Sequence, residues 1–270
     1  MLVYDDVGNR YNPDEIETIV SLVPSISETI YTLSGADYLI GITDFCISPG
    51  DLVDHPGIFK VGGVKNPDLD RIIELKPDLC IVNVEENRKV DAEKLSDAGI
   101  PLFVTEIATV IEARGLVQKI GYLCNRGQQA SLIVSMIDQV LEETMASEQG
   151  LRVFVPLWYN PWMTFSDITY AGSLILTCGG INVFGNKEEE EASNYFEIED
   201  DSLLAADIDL ILLPDEPFAF KQKHVHELEK LGVRAAREGR FHFLDGRYLF
   251  WYGIRTLQSL PIVSTLLRTI

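Results

Sequence analysis

The chain has 270 residues, 46% hydrophobic and 24% charged, an ordinary balance for a globular protein with room for one large core or two modest ones. Its formal net charge of -20 weighs against nucleic acid as a partner, since phosphates would be repelled and no counterions released by Lys or Arg clusters. Cys46, Cys80, Cys124 and Cys178 stand far apart without a CxxC pair, so neither a zinc knuckle nor a disulfide framework is signalled.

Residues 1–12 are polar and lack a basic segment followed by an apolar core, so no signal peptide is visible. That pattern suits a cytoplasmic protein if Met1 is the native start, or an exported one if a leader has been removed. The apolar runs fall short of the roughly 20 residues that a membrane span needs, so direct membrane insertion is not expected.

Short apolar runs alternate with helical patterns along the chain, which predicts an α/β fold with parallel sheets. The expected strands are Thr18 to Val23, Leu39 to Thr43, Asp78 to Val84 and Pro101 to Thr105, then Arg152 to Leu157, Asp209 to Leu213 and Phe241 to Leu244. Each is almost wholly apolar, as a strand covered on both faces must be; Cys80, inside one of them, is expected to be a buried thiol. The pattern divides into an N-terminal lobe over 1–108, a linking helical segment over 109–149 and a C-terminal lobe over 150–270.

The two lobes read as copies. Residues 68–82 match residues 199–213 as a short helix running into a strand, and one offset of about 131 residues pairs Asp70 with Asp201, Asp78 with Asp209 and Glu85 with Glu216. A second match sets Val20 to Ser25 and a helix ending at Gly35 against Val153 to Trp158 and a helix ending at Gly179-Gly180, with Gly41 and Gly185 following at equal distance. Relative to the first copy, the second carries about a dozen extra residues around Pro161 to Tyr170, expected as a loop on the binding face. Between the copies, Val110 to Leu123 and Gln128 to Met145 are helical. In the second helix Ala130, Ile133, Val134, Ile137, Val140 and Leu141 form one apolar stripe, and its length of roughly 27 Å suits a strut joining both lobes and permitting only small closure.

In open parallel sheets, ligands bind beyond the carboxyl ends of the strands. Those ends carry Ser25, Phe45, Lys65, Asn66, Glu85, Glu86 and Arg88 in the first lobe. In the second they carry Trp158, Tyr159, Trp162, Asp215, Glu216, Phe218 and Asp245, with Trp251, Tyr252 and Arg255 soon after. All three tryptophans fall in such segments, which is the sharpest signal, because aromatic faces suit a flat or bulky ligand such as a macrocycle or a chelate. The bland alternative is that loop tryptophans cap the core. The charges are mixed in sign and equally explained as a solvated rim, so the aromatic loops are the better contact candidates.

These segments resemble the helical-backbone, class III periplasmic binding proteins that serve ABC importers of cobalamin and ferric siderophores. The resemblance runs from about Asp5 to Leu267 and rests on Val61-Gly-Gly-Val-Lys-Asn-Pro-Asp-Leu-Asp-Arg-Ile, Lys76-Pro-Asp-Leu, Cys178-Gly-Gly-Ile-Asn-Val-Phe and Trp251-Tyr-Gly-Ile-Arg. Phe45-Cys46, Glu85-Glu86-Asn87-Arg88, Pro161-Trp162-Met163-Thr164 and Leu213-Pro-Asp-Glu-Pro-Phe look most like the branch labelled cobalamin-binding. It implies two Rossmann-like lobes joined by one backbone helix, a chelatase-like fold, holding a cobalt corrinoid or ferric chelate for delivery to an ABC importer permease. It further implies a periplasmic or cell-surface location, no cofactor of the protein's own, no catalytic or metal-ligating residues, and a monomer. Family members dock on the permease through one acidic residue per lobe. Asp70 and Asp201 are the matching positions, aspartates where a well-studied cobalamin binder has glutamates, and their plain alternative role is favourable charge near a helix start.

Two other readings compete. One is a cytoplasmic metal-cofactor carrier or sensor of the same fold. The other is a metal-dependent hydrolase, weakly supported because His224-Val-His226 has the wrong spacing for an HExxH site and no GxSxG or GxxxxGK[ST] motif is present.

Overall fold

The computed structural model describes residues 1–145, 150–185 and 193–269. The end of the expected linking segment, residues 146–149, lies outside them. The chain resolves into two compact units: unit 1 comprises Met1–Ile107, Glu112–Met136 and Tyr252–Ile254, and unit 2 comprises Ala108–Ile111, Ile137–Trp251 and Arg255–Ile270.

Unit 1 opens on a small antiparallel pair, β1 (Val3–Tyr4) and β2 (Arg10–Tyr11). Then follow β3 (Ile19–Ser21), α1 (Pro24–Ser34), β4 (Leu39–Ile42), the single turn α2 (Gly50–Val53), β5 (Phe59–Lys60) and α3 (Leu69–Leu75). β6 (Leu79–Asn83), α4 (Lys89–Asp97), β7 (Leu102–Thr105), α5 (Val110–Leu123) and α6 (Gly127–Met145) complete the series. The sheet is parallel, in the order β5-β4-β3-β6-β7.

Every residue of β3 and β6 is buried. Val20, Cys80 and Val82 pack on one face with Ile72, Leu95 and Ile100, while Ile19, Ile81 and Phe103 are enclosed as well. This two-sided burial explains the unbroken apolar runs of the sequence. All four cysteines are buried and free, and burial pushes the Cys80 thiol up to about 12.

Unit 2 repeats the plan with β8 (Leu151–Phe154), β9 (Met163–Phe165), α7 (Tyr170–Thr177), β10 (Gly180–Asn182), β11 (Tyr195–Glu197) and α8 (Asp200–Ala205). They are followed by β12 (Leu210–Pro214), α9 (Gln222–Leu231), α10 (Arg234–Arg237), β13 (Phe241–Leu244), α11 (Arg247–Phe250) and α12 (Thr256–Leu266). Among the described residues its parallel sheet runs β10-β8-β12-β13, the order of β4-β3-β6-β7 in unit 1.

The repeat extends to hydrogen bonds. Asp78, just before β6, accepts from the backbone N–H groups of Glu17 and Thr18 and from Thr18 Oγ1 at 2.8–3.0 Å. Asp209, one repeat on and just before β12, accepts from the N–H of Arg152 at the start of β8 and from Arg234, each at 3.0 Å. In each unit an aspartate thus pins the entry of the first core strand. Burial alone would raise the Asp78 pKa, but the Thr18 and Glu17 donors outweigh it and hold the carboxyl below its usual value.

Three expectations need correction. Gly41 lies inside β4, whereas Gly185 lies in the turn after β10, so the two glycines are not equivalent; the glycine within β10 is Gly180. The extra residues of the second copy are not simply a loop, because Met163–Phe165 pair antiparallel with Tyr195–Glu197 and Thr164 Oγ1 donates to the Val155 carbonyl at 2.8 Å. Tyr252, expected on the second lobe, belongs with Gly253 and Ile254 to unit 1. There the Tyr252 hydroxyl donates to Glu86 Oε1 at 2.7 Å and the Ile254 N–H donates to Thr29 Oγ1 at 3.1 Å. Gly253 has φ +83 and lies against Thr29 with no room for a Cβ, which is why glycine stands there.

Replacing Asp78 by Ala removes three donors' shared acceptor at an exposed site, so a loss of about 1 kcal/mol is expected, with a similar loss for Asp209→Ala. Urea unfolding of each variant checks it. The sign follows the depressed pKa of Asp78: its contribution is present above the ordinary aspartate pKa and fades as pH falls through the lower folded value.

Candidate functional site

Because both sheets are parallel and covered, their polar and ligand-facing chemistry collects at the carboxyl edges of the strands. In unit 1 that edge is a polar lattice. Asn87, after β6, donates through Nδ2 to the carbonyls of Leu22 and Val64, both at 3.1 Å, and accepts from the Asn83 N–H at 2.8 Å. Asn83 Oδ1 in turn receives the N–H groups of Glu85 and Glu86 at 2.9 and 3.1 Å. Lys65 Nζ reaches the Glu85 carbonyl at 2.7 Å. Buried Ser25 lies beside Tyr252, whose hydroxyl is pushed well above its usual pKa by burial, by the charge of Glu86 and by the hydrogen bond to it.

The remaining unit 1 candidates divide by exposure. Arg88 is engaged in a two-pronged pair with Asp91, at 2.7 and 2.9 Å. Asn66 is exposed and folds over Gly63, accepting its N–H at 3.2 Å through the Asn66 carbonyl. Phe45 is 60% exposed and is the aromatic that this edge presents to solvent.

In unit 2 the edge is aromatic. Trp158, just beyond β8 and 45% exposed, meets Phe218 edge-on at 5.1 Å. Tyr159 lies 4.9 Å from Trp162 and 5.1 Å from the His224 ring. Trp162 is different: at 5% exposure it is a core side chain, stacked on Phe220 and edge-on to Phe154. Its ring surface is taken up by protein, which is the bland alternative for a loop tryptophan. Trp251 is also buried, under the guanidinium groups of Arg247 and Arg255 at 6.0 and 5.5 Å from its ring centre. The three tryptophans therefore occupy three settings, and Trp158 is the one with an open face.

Behind the aromatic shelf, His224 is buried among Tyr159, Phe218 and Phe220. Its Nδ1 accepts the Lys221 N–H at 2.9 Å, so the neutral ring carries its hydrogen on Nε2. Burial, then the charges of Lys223 and Lys221, hold its pKa below the ordinary histidine value.

The charged candidates of unit 2 form one group after β12 and β13. Asp245 binds Arg247 through both oxygens, at 2.8 and 2.5 Å, and this hydrogen bonding lowers the Asp245 pKa despite burial. Asp215 Oδ1 accepts the Gly246 N–H at 2.7 Å. Glu216, squeezed between them, is raised to about 7 by burial and by the charges of Asp215 and Asp245, against the Trp251 indole and Arg247.

Sequence reasoning missed Asn83, Thr29 and Arg247, and it named Asn87 and His224 without counting them among the contact residues. Two asparagines four apart at a strand end, and Asp-Gly-Arg after a strand, were available signals; nothing in sequence pointed to Thr29. Asp70 and Asp201 lie in the first turns of α3 and α8, both exposed, with Asp68 capping α3 by accepting the Arg71 N–H at 3.0 Å. Among the described residues no three His, Cys, Asp or Glu side chains group as metal ligands would, and no helix is long and apolar enough to cross a membrane.

Comparison with known proteins places this architecture. Over 186 residues the chain is 26% identical to the vitamin B12-binding protein of Vibrio campbellii, an alignment covering 68% of this chain and 66% of that relative, so it spans just under two thirds of the relative's length. The crystal structure of the periplasmic vitamin B12 binding protein BtuF of Vibrio cholerae superposes with a TM-score of 0.80 at 22% identity, covering 94% of this chain and 97% of that one. The periplasmic heme-binding protein BhuT, solved with two hemes, gives a TM-score of 0.78 at 20% identity, covering 93% and 99%. The fold is thus that of the class III binding proteins, as the sequence resemblance implied. The model of the periplasmic binding protein family matches residues 19–248, from the first core strand to the residues just before Trp251, and with that span the chain belongs to the periplasmic binding protein family.

Proposed function

We propose that this protein captures a metal chelate, a corrinoid, a heme or a ferric siderophore, at the carboxyl edges of its sheets and hands it to an ABC importer permease. The observation that carries this reading is the open aromatic shelf of Trp158 and Phe218 beyond β8 and β12. An edge-on aromatic pair with one exposed face offers large apolar area at low entropic cost to a flat, conjugated ligand. Family membership supports binding without turnover, and the similar proteins named above are, by their own descriptions, binders of vitamin B12 and heme.

Unit 1 has a polar lattice at its own strand ends. It fixes Glu85 and Glu86 by their backbones and leaves Phe45 exposed for contact. On this reading the protein works as a monomer on the outer side of the cytoplasmic membrane and carries no cofactor of its own; the similar solved structures are described as periplasmic.

Cyanocobalamin, hemin and a ferric hydroxamate titrated against tryptophan fluorescence test the proposal. At least one is expected to bind saturably, and no response to any of them would sink it. Trp158→Ala is expected to weaken capture about tenfold or more, while Trp162→Phe lowers stability and leaves affinity nearly intact. Equal effects of both on affinity would move the contact off Trp158.

Docking on the permease is assigned to Asp70 and Asp201. Changing either to Asn is expected to leave ligand affinity unchanged and to weaken permease stimulation about five- to tenfold, measured as ATPase activity of the reconstituted importer. Unchanged stimulation by the double variant would return both residues to the role of helix-start charges.

A further inference from the structure

Phe218 forms the aromatic shelf with Trp158, yet it stands in the loop between β12, which ends at Pro214, and α9, which starts at Gln222. That loop is closed at its base. The Phe220 N–H donates to the Pro214 carbonyl at 3.2 Å, and Lys221 and His224 exchange two bonds. The Lys221 N–H donates to His224 Nδ1 at 2.9 Å, and the His224 N–H donates to the Lys221 carbonyl at 2.8 Å. The imidazole thus caps the start of α9 by reaching back to the residue before the helix.

The same ring carries the shelf. Its centre lies 5.1 Å from those of Phe218 and Tyr159 and 5.4 Å from that of Phe220, and the residue is 2% exposed. Phe218 lies in turn 5.1 Å from Trp158, which has the open face. Ring contacts therefore run without a break from the helix start, through Phe218, to the surface.

His224 Nε2 is buried without a hydrogen-bond partner. Because Nδ1 accepts, this nitrogen carries the hydrogen, and a polar N–H is enclosed by aromatic rings. Phenylalanine would fill the space without that cost but offers Lys221 no acceptor; glutamine offers an acceptor but no ring. Histidine does both, and only while Nδ1 is bare, since the imidazolium carries hydrogen on both nitrogens. The charged and titratable groups around it are Lys221 and Lys223 at the start of α9, Glu227 one turn on, and Tyr159 from the loop after β8, with Lys230 acting on Tyr159. Burial and the two lysines oppose a charge on the ring; Glu227 favours it.

We propose that His224 is a positioning residue for ligand capture: as the neutral imidazole it holds Phe218, and through Phe218 the open face of Trp158, in the arrangement that receives the chelate, so that capture weakens when the ring takes up a second proton. This rests on the chelate-binding reading and adds the residue that shapes the contact surface and the acid limit of capture. His224 is itself enclosed and acts through Phe218.

The test compares wild type, His224→Gln and His224→Phe by calorimetric titration with cyanocobalamin and a ferric hydroxamate between about pH 4.5 and about pH 7.5, roughly two units below and one above the ordinary histidine value. Circular dichroism marks the part of the range in which each protein is folded. Neither variant titrates at this position; glutamine keeps an acceptor for the Lys221 N–H and phenylalanine keeps the ring. Wild-type affinity is expected to be level near neutrality. It falls only below the ordinary histidine value, because the ring is held neutral above it, and by at most about tenfold per pH unit for one linked proton. Near neutrality each variant binds about three- to tenfold more weakly than wild type, the range of one hydrogen bond or ring contact, and each lacks the wild-type fall in acid. A flat wild-type profile, or the wild-type slope retained in either variant, overturns the role of His224 and leaves the chelate reading standing.

A ligand-free measurement keeps the two apart. The emission of Trp158, read as the difference between wild type and Trp158→Phe, is expected to change over the same acid range and to stay constant when His224→Gln is present in both. No such change, or the same change with His224→Gln, overturns the positioning role whether or not a probe binds. A change in Trp158 emission with neither probe bound at any pH overturns the chelate reading and, with it, the role in capture.

Discussion

The constraint on which the rest depends is the burial of both faces of the central strands of each parallel sheet. β3, β6 and β12 are buried at every position, so the strands themselves have no surface on which to place chemistry. What remains is the edge where the strands end, and evolution of function in such a unit is confined to the residues immediately after each strand. The backbone at those ends must still be satisfied, and the two units solve this differently.

The difference is clearest along the repeat. Asn83 and Asn87 of unit 1 correspond, at the same offset, to Pro214 and Phe218 of unit 2. The asparagines lace strand ends together through side-chain amides, which gives a polar, well-determined edge. The proline has no N–H to satisfy, and Phe218 builds an aromatic surface with Trp158, Tyr159 and Phe220. Duplication conserved what the fold needs, the sheet order and the aspartates Asp78 and Asp209 at strand entries, and released what it does not.

This separates what sequence pattern can reveal from what it cannot. The core strands and both linking helices were legible because two-sided burial and helical stripes leave long signals; the apolar stripe of α6 is buried at Ala130, Val134, Ile137 and Leu141. The two-residue strands, and β9 with β11, were not, since pairing of so few residues leaves no period to read. At the site, counting tryptophans located the right segments but ranked the indoles equally. Trp162 is drawn into the core by Phe154 and Phe220, partners 8 residues before and 58 after it. No local pattern reports a contact of that kind. Tyr252 was misplaced for a similar reason, because its partner Glu86, and Thr29, the partner of nearby Ile254, lie far back in the chain.

Glu85 and Glu216 show how far one repeat position can diverge. Both follow an inner strand of their sheet, β6 and β12, at the same offset. Glu85 has its N–H on Asn83 Oδ1 and its carbonyl on Lys65 Nζ. Glu216 has its side chain closed against Gly246, with Asp215 and Asp245 beside it and the Trp251 indole on one oxygen. Val84 occupies in unit 1 the place of Asp215, so the first copy lacks the neighbouring carboxylate that disfavours ionisation in the second. The raised pKa of Glu216 follows from burial and from Asp215 and Asp245, and so from the turn Asp245-Gly246-Arg247 as much as from the glutamate. A half-buried strand end makes charge costly, and in unit 2 the second carboxylate beside it adds to that cost.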